Sequence, residues 1–561
     1  MDRISGAEAM VRMLQLYNVK HIFGLCGDTS LPFYDALYRL DHGITHILTR
    51  DERSAGYMAD GYARVSGKVG VCEGPSGGGA TYILPALVEA NESSIAILAI
   101  TTDISTVSVG HYALTELDQK ALFRSLTKWN DVIDRAERLP SVVRAAFRAM
   151  TTGKPGAAHI GLPFNVQNES LSTDELWVQP ELGSFPAWRF GPDPQAVKRA
   201  ASLLLSAHRP IFVSGGGVVI SGAQPELREL SERLQAPVAT TISGQGSMSE
   251  NHALCLGVVG SNGGTAPVQE ALNTADLVVF VGCRAGSVAT ERWRSPRPGT
   301  SVIHIDVDPM VVSATYRTEA TLVSDAKLAL RALIDELPAG SVPQSCDGAT
   351  LVAQSKARKF AAFRELANQE TVPLFPERVI ATLHEILPRD AVVVCDPGTP
   401  CPYLSAYYEF VEPGRHLISN RAHGALGFAM AAAIGAHYGR PQTKTVAIMG
   451  DGSFGFTAGE LETVGRLRVP IMMVVLSNGG YGWIKAGQKT GYGKRYYSVD
   501  FSRTDHASVA EAFGIKAWRV HTPDELHTAL VAAAEAAGPT LVDITVQPLE
   551  EANAPVSEWV A

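Results

Sequence analysis

The sequence contains 561 residues, of which 46% are hydrophobic and 19% are charged, and its formal net charge at pH 7 is −9. This is an ordinary globular composition, and the length suffices for about three or four domains with complete cores. The negative charge and the lack of basic clusters argue against nucleic acid or a membrane surface as a partner. No apolar run approaches about 18 residues, so no membrane span is expected.

The first residues lead directly into an amphipathic helix, without the apolar core of a secretory signal. Seven cysteines are scattered along the chain without the spacing of a metal site, at positions 26, 72, 255, 283, 346, 395 and 401. An odd and sparse set of this kind indicates reduced, buried thiols. We therefore expect a cytoplasmic protein.

Residues 1–170 are predicted to form an N-terminal α/β domain. Helical segments alternate there with short apolar strands, at His21–Leu25, Thr45–Leu48, Val69–Cys72, Ile95–Ala99 and Ala157–Gly161. Such alternation predicts a parallel sheet that is covered by helices on both faces.

A segment from Thr49 to Arg64 follows the second of these strands, and Glu52 opens its helix. Acidic residues are favoured in the first turn of any helix, so Glu52 alone is a weak indication of catalysis. The next strand is followed by a glycine-rich turn, Gly74-Pro75-Ser76-Gly77-Gly78-Gly79. Glu52 is expected at the strand-end edge that this domain presents, where α/β proteins bind ligands.

Gln167–Asp193 is polar, rich in proline and without periodicity, which predicts a linker. A central α/β domain is predicted over residues 190–340, with strands at Pro210–Val213, Pro237–Thr240, Leu277–Val281 and Val302–Ile305. Ser214-Gly215-Gly216-Gly217 lacks the full dinucleotide-binding pattern, so a simple turn and a nucleotide site both stay open. Residues 336–375 are expected to form a second linker region around a helical segment.

The third predicted domain covers residues 365–548, and a C-terminal tail covers 549–561. The third domain contains a helix at Pro376–Leu387 and strands at Val392–Cys395, Thr445–Met449, Ile471–Leu476 and Thr540–Val546. The predicted fold class is therefore α/β, with three doubly wound parallel-sheet domains.

One βαβ unit of the third domain carries a candidate metal site. Gly450-Asp451-Gly452 ends its first strand, a helix is predicted at Thr457–Arg468, and Asn478 follows its second strand. A tight turn with Asp451 as helix cap is the simplest interpretation of the first motif. However, a carboxylate, an amide oxygen and backbone carbonyls at one sheet edge are ligands that suit Mg²⁺ or Ca²⁺. A helix that starts after Ser453 would also offer free N–H groups to a phosphate.

Together the motifs resemble those of the thiamine diphosphate-dependent superfamily that includes pyruvate decarboxylases and acetolactate synthases. The resemblance covers nearly the whole chain, so its three domains would be pyrimidine-binding, central and diphosphate-binding. It implies that Asp451, Asn478 and the Gly480 carbonyl hold Mg²⁺, although Ser477 replaces the usual first Asn of the motif. It also implies that Glu52 bonds N1′ of the aminopyrimidine.

The resemblance extends to further cofactor-binding residues. Thr399 matches a hydroxyl that bonds the diphosphate, the Gly424 carbonyl matches the acceptor of the 4′-amino group, and Leu426 matches the wedge between the rings. The implied cofactor-binding set is Glu52, Thr399, Gly424, Leu426, Gly452, Ser453 and Tyr481. FAD is doubtful, because residues 284–288 replace the acidic string with which acetolactate synthases handle it.

The resemblance weakens where a substrate would bind. Leu114-Thr115 replaces Phe-Gln, Phe164 replaces Lys, and Gly487-Gln488 stands where acetolactate synthases carry Trp-Gln. His111 and His423 are candidate acids or hydrogen-bond donors, and for each a purely structural role is the alternative. We expect a pocket that is wider and less polar than that of an acetolactate synthase.

The sequence thus predicts a thiamine diphosphate- and Mg²⁺-dependent enzyme that cleaves or forms a carbon–carbon bond of a 2-oxo acid. An alternative is a lyase or decarboxylase of 2-hydroxyacyl- or oxalyl-CoA. A second alternative is a cofactor-binding partner subunit without activity, but the intact Glu52, Asp451 and Asn478 argue against it. A third alternative is a flavin- or NAD-dependent oxidoreductase, which an absorption spectrum of the purified protein would distinguish. The resemblance further implies a homo-dimer or homotetramer with active sites between subunits.

Overall fold

A computed structural model describes residues 3–338, 340 and 347–559. It contains three parallel six-stranded sheets with flanking helices, which confirms the predicted fold class. The chain forms two compact units. The first comprises the chain up to Trp188 together with Asn420–Gln442 and Thr457–Val469; the second comprises Arg189–Ser419, Thr443–Phe456 and the chain from Pro470 onwards.

The first unit contains the first sheet. Its strands are β1 (Arg3–Ser5), β2 (His21–Gly24), β3 (Thr45–Leu48), β4 (Gly70–Gly74), β5 (Ile97–Asp103), β6 (Trp129–Val132), β7 (Ala158–Pro163) and β8 (Ser170–Ser172). Its helices are α1 (Gly6–Leu16), α2 (Leu31–Arg39), α3 (Glu52–Ser66), α4 (Gly78–Tyr82), α5 (Leu84–Glu92), α6 (Gln119–Arg124), α7 (Leu139–Thr151) and α8 (Phe164–Asn168). The sheet order is β3-β2-β4-β5-β7-β6, and β1 pairs separately with β8.

The second sheet belongs to the second unit and has the order β11-β10-β9-β12-β13-β14. Its strands are β9 (Pro210–Ser214), β10 (Val238–Thr240), β11 (Cys255–Val258), β12 (Leu277–Val281), β13 (Ser301–Asp306) and β14 (Ala320–Val323). The accompanying helices are α9 (Pro194–Ser206), α10 (Gly216–Ser221), α11 (Gln224–Leu234), α12 (Ala266–Leu272), α13 (Ala326–Glu336) and α14 (Gly348–Ala367).

The third sheet lies in the same unit and has the order β16-β15-β17-β18-β20-β19. Its strands are β15 (Val392–Cys395), β16 (Leu417–Ser419), β17 (Thr445–Gly450), β18 (Met472–Ser477), β19 (Lys516–Val520) and β20 (Thr540–Thr545). The helices of this stretch are α15 (Pro376–Ile386), α16 (Pro400–Tyr407), α17 (Ala429–Gly439), α18 (Asp451–Thr457), α19 (Leu461–Leu467), α20 (Gly482–Gly491), α21 (His506–Ala512) and α22 (Pro523–Glu535).

Helix α17 packs in the first unit, although the third domain was predicted to contain it. Small residues allow α17 to approach α3 closely, because a Cβ on Gly61 would lie only 2.1 Å from the Ala432 carbonyl oxygen. Tyr57 of α3 stacks edge-on against Phe428, with ring centroids 5.2 Å apart. The segment that precedes α17 is therefore held on the helix that begins with Glu52.

Three local predictions need correction. The helix predicted at Thr457–Arg468 is a 3₁₀ turn followed by α19. A separate short helix begins at Asp451 itself, so the helix start predicted after Ser453 is wrong. The glycine-rich stretch lacks the apolar periodicity that would have indicated a helix there. The expected linker from Gln167 is also partly ordered, since β8 pairs with β1.

Five of the cysteines in the described residues are buried and Cys26 is exposed, so the expectation of buried thiols is wrong for Cys26. Cys346 lies outside the described residues. Over the residues that the structure describes, no helix combines the length and apolar character needed to cross a membrane.

A buried carboxyl in the third-sheet core makes stability depend on pH. Glu377 is almost fully buried, and neither of its oxygens has a partner from another described residue. Burial raises the pKa of Glu377 to about 7. Because the folded state then holds its proton more tightly than the unfolded chain, stability is full below the unfolded pKa and declines as pH rises towards 7.

We expect Glu377→Gln to stabilise the protein at pH 8 by up to about 3 kcal/mol and to change little at pH 4.5. Thermal unfolding of both proteins across this pH range measures the difference. An equal effect of the substitution at both pH values would contradict the proposed ionisation.

Candidate active site

Three neighbouring strands of the third sheet end in candidate ligand-binding residues. Thr399 follows β15, Asp451 follows β17 and Asn478 follows β18, and these strands are adjacent and parallel in the order β15-β17-β18. The carboxyl ends of parallel strands meet at one edge of a sheet. The topology therefore brings these three residues to one edge, and for Asp451 and Asn478 the order of the strands and turns in the sequence had predicted this.

Asp451 is the best-connected side chain at this edge. Its Oδ2 accepts hydrogen bonds from the backbone N–H groups of Asn478 at 2.8 Å and Gly479 at 2.7 Å, and its Oδ1 accepts from Gly452 N at 2.9 Å. Burial raises the pKa of Asp451, while these three N–H donors act in the opposite direction. The carboxylate thus fixes the loop that carries Asn478.

Hydrogen bonds within the loop after β18 and to Thr399 hold the oxygens of Asn478 and Gly480. Asn478 Nδ2 donates to Thr399 Oγ1 at 3.3 Å, and Asn478 Oδ1 accepts from Gly480 N at 3.3 Å. The Gly480 carbonyl accepts from Gly482 N at 3.0 Å. Tyr481 lies against Gly452, because a Cβ there would be 2.8 Å from a carbon of the Tyr481 ring. Ser453 is buried beside Asp451.

Ser477, which departs from the family motif, takes part in a polar cluster just before Asn478. Its hydroxyl donates to Asp543 Oδ1 at 2.5 Å and lies 3.2 Å from His506 Nδ1. Asp543 Oδ2 in turn lies 3.1 Å from His506 Nδ1. This cluster connects β18, β20 and α21 next to the loop that carries Asn478. Sequence patterns did not reveal it, because its members are far apart in the chain.

Glu52 is the first residue of α3 in the first unit, and Asp51 caps that helix by accepting from Arg53 N at 2.8 Å. The Glu52 side chain is buried against the glycine-rich turn. A Cβ on Gly79 would lie 3.1 Å from Glu52 Oε1, and one on Gly74 would lie 3.2 Å from Glu52 Cγ. Burial raises the pKa of Glu52, with smaller contributions from the nearby acidic side chains. A carboxyl whose pKa is raised by burial can accept and return a proton in catalysis.

A second buried carboxyl supports the turn that presents Glu52. Glu460 Oε1 accepts from Arg50 N at 3.0 Å, and Glu460 Oε2 accepts from Thr463 Oγ1 at 2.7 Å. Burial raises the pKa of Glu460. No sequence pattern marks Glu460, because an isolated acid ahead of a helix resembles an ordinary helix-start residue.

The loop before α6 contacts the glycine-rich turn through hydroxyl groups. Thr115 Oγ1 lies 2.7 Å from Ser76 Oγ, and Ser76 Oγ accepts from Thr29 Oγ1 at 3.2 Å. Thr115 has a φ of 68°, which is an unfavourable value for a β-branched residue. His111, in the same loop, is exposed. The loop before α6 therefore presents a polar group at Thr115, whereas the sequence comparison with acetolactate synthases predicted mainly a loss of polar side chains from the substrate pocket.

The segment 420–428 carries the remaining predicted residues. His423 has an exposed side chain, and Gly424 has a φ of 71°, which glycine adopts without strain. Leu426 is half-buried. The backbone N–H groups of Ala422 and His423 donate to Glu89.

The oxygen atoms at the third-sheet edge are of the kind that binds a hard divalent cation. Among the described residues no three His, Cys, Asp or Glu side chains gather as a metal site, so the candidate set is one carboxylate, one amide oxygen and one carbonyl. A carboxylate offers about four lone-pair positions and a carbonyl two. Three of the Asp451 positions and one of the Gly480 positions are used internally, which leaves capacity for a cation on each. Such oxygen sets suit Mg²⁺.

Comparison with known proteins assigns this three-domain α/β protein to a class. Residues 4–122 match the N-terminal TPP binding domain of thiamine pyrophosphate enzymes, residues 197–333 match their central domain, and residues 396–544 match their C-terminal TPP binding domain. The chain belongs to the thiamine pyrophosphate enzyme family and is a thiamine diphosphate-dependent enzyme.

Similar proteins align over nearly the full length. A probable acetolactate synthase large subunit of Methanococcus aeolicus is 34% identical over 97% of this chain and 92% of its own length. The acetolactate synthase isozyme 3 large subunit of Escherichia coli strain K12 is 31% identical over 95% of this chain and 93% of its own length. The acetolactate synthase large subunit of Corynebacterium glutamicum is 32% identical over 97% of this chain and 87% of its own length.

Proposed function

We propose that the protein is a thiamine diphosphate- and Mg²⁺-dependent decarboxylase or carboligase of 2-oxo acids, similar to acetolactate synthases. The observation that carries the proposal is the Asp451–Asn478 pair at two adjoining strand ends, with its remaining oxygen capacity for a cation. The names of the similar proteins support the 2-oxo acid as substrate class. We keep residues 1–170, 190–340 and 365–548 as the proposed domain limits.

The protein residues would divide the work as follows. Asp451, Asn478 and the Gly480 carbonyl hold Mg²⁺, and the Thr399 hydroxyl bonds the diphosphate. Gly452 and Ser453 let the backbone approach the diphosphate closely, beside Tyr481. When bound, the cofactor supplies a nucleophilic carbon and an electron sink for the reacting carbonyl compound.

Glu52 would exchange a proton with the aminopyrimidine nitrogen, which its burial and its raised pKa favour. The Gly424 carbonyl would accept from the 4′-amino group, and Leu426 would support the bent form of the cofactor. His111 and His423 are exposed, and their role as acids or hydrogen-bond donors stays a proposal.

The test is CO₂ release from a panel of 2-oxo acids, with and without Mg²⁺ and thiamine diphosphate. We expect turnover that requires both additions. A panel of 2-hydroxyacyl-CoA and oxalyl-CoA thioesters is assayed beside it, and exclusive activity on these would favour the alternative function. If neither panel shows cofactor-dependent turnover, the proposal is contradicted. An absorption spectrum of the purified protein would show whether FAD is bound.

The acyl-CoA alternative is kept because of the space beside α20. Among the described residues, a Cβ on Gly487 would approach only the Trp559 carbonyl oxygen and the Trp559 Cβ, at 3.9 and 4.0 Å. These are ordinary contacts, so the described residues leave room for a Cβ at position 487.

We expect Gly487→Trp to penalise large substrates by about 10–200-fold relative to pyruvate, because an indole would narrow this space. Gly487→Ala is the matched control and should leave the preference unchanged. The measurement is kcat/KM for a short and a long 2-oxo acid. Equal losses for all substrates, or acetolactate formation from pyruvate as the best wild-type activity, would contradict a widened pocket.

We further propose a cytoplasmic homo-dimer or homotetramer with active sites shared between subunits. Glu52 lies in the first compact unit and Asp451 in the second. The loop before α6 exposes large apolar side chains, with Tyr112 99% and Leu114 85% accessible in the single chain. A second copy of the chain that covers this loop would remove that apolar surface from water.

Mixing two inactive variants tests the shared sites. If Glu52→Gln and Asp451→Ala subunits reassemble together, some hybrid sites contain both intact residues, so we expect part of the wild-type activity to return. Each variant mixed with itself is the control. Full activity of a monomer verified by light scattering would exclude shared sites.

A further inference from the structure

A buried glutamate of the first unit holds the backbone of the segment that carries Gly424 and Leu426. Glu89, on α5, has no solvent exposure. Its Oε2 accepts hydrogen bonds from Ala422 N at 3.1 Å and from His423 N at 2.7 Å. The second of these N–H groups belongs to the residue directly before Gly424.

The other oxygen of Glu89 joins this segment to α3. Glu89 Oε1 accepts from Arg64 Nη2 at 3.1 Å and from Ser93 Oγ at 2.6 Å. Arg64 also donates two hydrogen bonds to Asp60, at 2.7 and 3.2 Å, and only 4% of its side chain is accessible. One buried cation therefore lies between two carboxylates, and one of these carboxylates, Glu89, also accepts from the two backbone N–H groups.

Two further contacts lie close to the hydrogen bonds of Glu89. The Arg64 guanidinium lies 5.8 Å from the centre of the Phe428 ring, at the start of α17. Asn420 Nδ2 donates to the Ala425 carbonyl, which closes the segment on itself. Burying a carboxylate is costly, and the four donors around Glu89 offset that cost while they fix the backbone at Ala422 and His423.

We propose that Glu89 is a positioning residue for the pyrimidine half of the cofactor site. It fixes the peptide planes before Gly424, so that the Gly424 carbonyl and the Leu426 side chain are presented in one conformation. The inference rests on the proposed function of Gly424 and Leu426, and it assigns to Glu89 no contact with cofactor or substrate.

Glu89→Gln is the sharpest variant, because it keeps the shape of the side chain. An amide has one acceptor oxygen and one NH₂ donor. In one orientation its NH₂ would face the two backbone N–H groups, and in the other it would face Arg64. The variant cannot serve all four donors, whereas Arg64 keeps its pair with Asp60, so the fold should survive. Ser93→Ala is the matched control, since it removes one donor at Oε1 and leaves the backbone bonds.

The first measurement is hydrogen exchange by mass spectrometry on the cofactor-free protein, with peptides covering residues 420–428 and 429–439. We expect the Ala422 and His423 amides to be protected in the wild type and to exchange about tenfold faster in Glu89→Gln. The 429–439 peptide and the Ser93→Ala protein should match the wild type. Unprotected amides in the wild type, or equal exchange in Glu89→Gln, would overturn the inference.

The second measurement separates positioning from general damage. The affinity for thiamine diphosphate should fall about tenfold in Glu89→Gln, whereas inorganic pyrophosphate with Mg²⁺ should compete as well as in the wild type. Equal loss for both ligands would overturn the inference. A wild type that binds no thiamine diphosphate would instead contradict the proposed function, and the exchange experiment would still decide the role of Glu89.

Discussion

Glu52→Gln is expected to lower turnover by about 10²–10⁴-fold while the fold and the bound cofactor are retained. The amide preserves the volume that fits against Gly74 and Gly79, but it cannot take up or return a proton. Because burial raises the pKa of Glu52, the neutral variant removes a charge that the site disfavours. The thermal unfolding temperature should therefore be unchanged or slightly higher.

The pH profile distinguishes proton transfer from simple packing. In the wild type, activity should fall as the pH drops through the raised pKa of Glu52, since only the ionised carboxyl accepts a proton. The residual activity of Glu52→Gln should lack this limb. Calorimetry with thiamine diphosphate and Mg²⁺ verifies that the cofactor still binds. Near-normal rates in the variant would exclude Glu52 from the reaction.

The sheet edges could be predicted because strong local signals mark them. The continuous apolar runs before Asp451 and Asn478 are β17 and β18 of the structure, and the turn residues directly follow each strand. Parallel pairing then brings the two residues together by topology alone. The fold class and the meeting of Asp451 and Asn478 at one sheet edge were therefore both accessible from sequence.

The supporting carboxylates were not accessible in this way. Glu89 contacts His423, 334 positions away, and Glu460 contacts Arg50, 410 positions away. In the sequence each is a single acid in or beside a helix, where a solvent-exposed position is the usual interpretation. Only the folded structure shows that these acids are buried and which groups they hold, and no local pattern encodes such long-range contacts.

The central domain shows the opposite case, in which a motif is explained by packing. A Cβ on Gly215 would lie 2.1 Å from the Gly282 carbonyl oxygen, and one on Gly217 would lie 2.7 Å from the Gly282 Cα. The two turns after β9 and β12 therefore need glycine in order to approach each other. A close backbone contact is sufficient to account for the glycine-rich turn, so it adds no support for a nucleotide or FAD.

Asp451→Ala is expected to reduce the affinity for thiamine diphosphate in the presence of Mg²⁺ by at least about 100-fold. Loss of a residue that only supports a metal ligand typically costs 10–100-fold in metal affinity, and Asp451 is proposed as a ligand itself. Asp451 accepts hydrogen bonds from the backbone N–H groups of Gly452, Asn478 and Gly479, and these three groups would also lose their acceptor. The loop that presents Asn478 and Gly480 should then loosen, which weakens the remaining ligands.

Asp451→Asn separates these two effects, because its amide oxygen can still accept one or two of the N–H bonds but carries no charge. We expect Asp451→Asn to keep most of the unfolding temperature of the cofactor-free protein and still to bind Mg²⁺ and thiamine diphosphate poorly. Calorimetric titration with and without Mg²⁺ measures this, since a diphosphate without its cation would face the site with its charge uncompensated. Unchanged, Mg²⁺-dependent affinity in both variants would mean that the cation is held elsewhere, and Asp451 would then be a loop anchor alone.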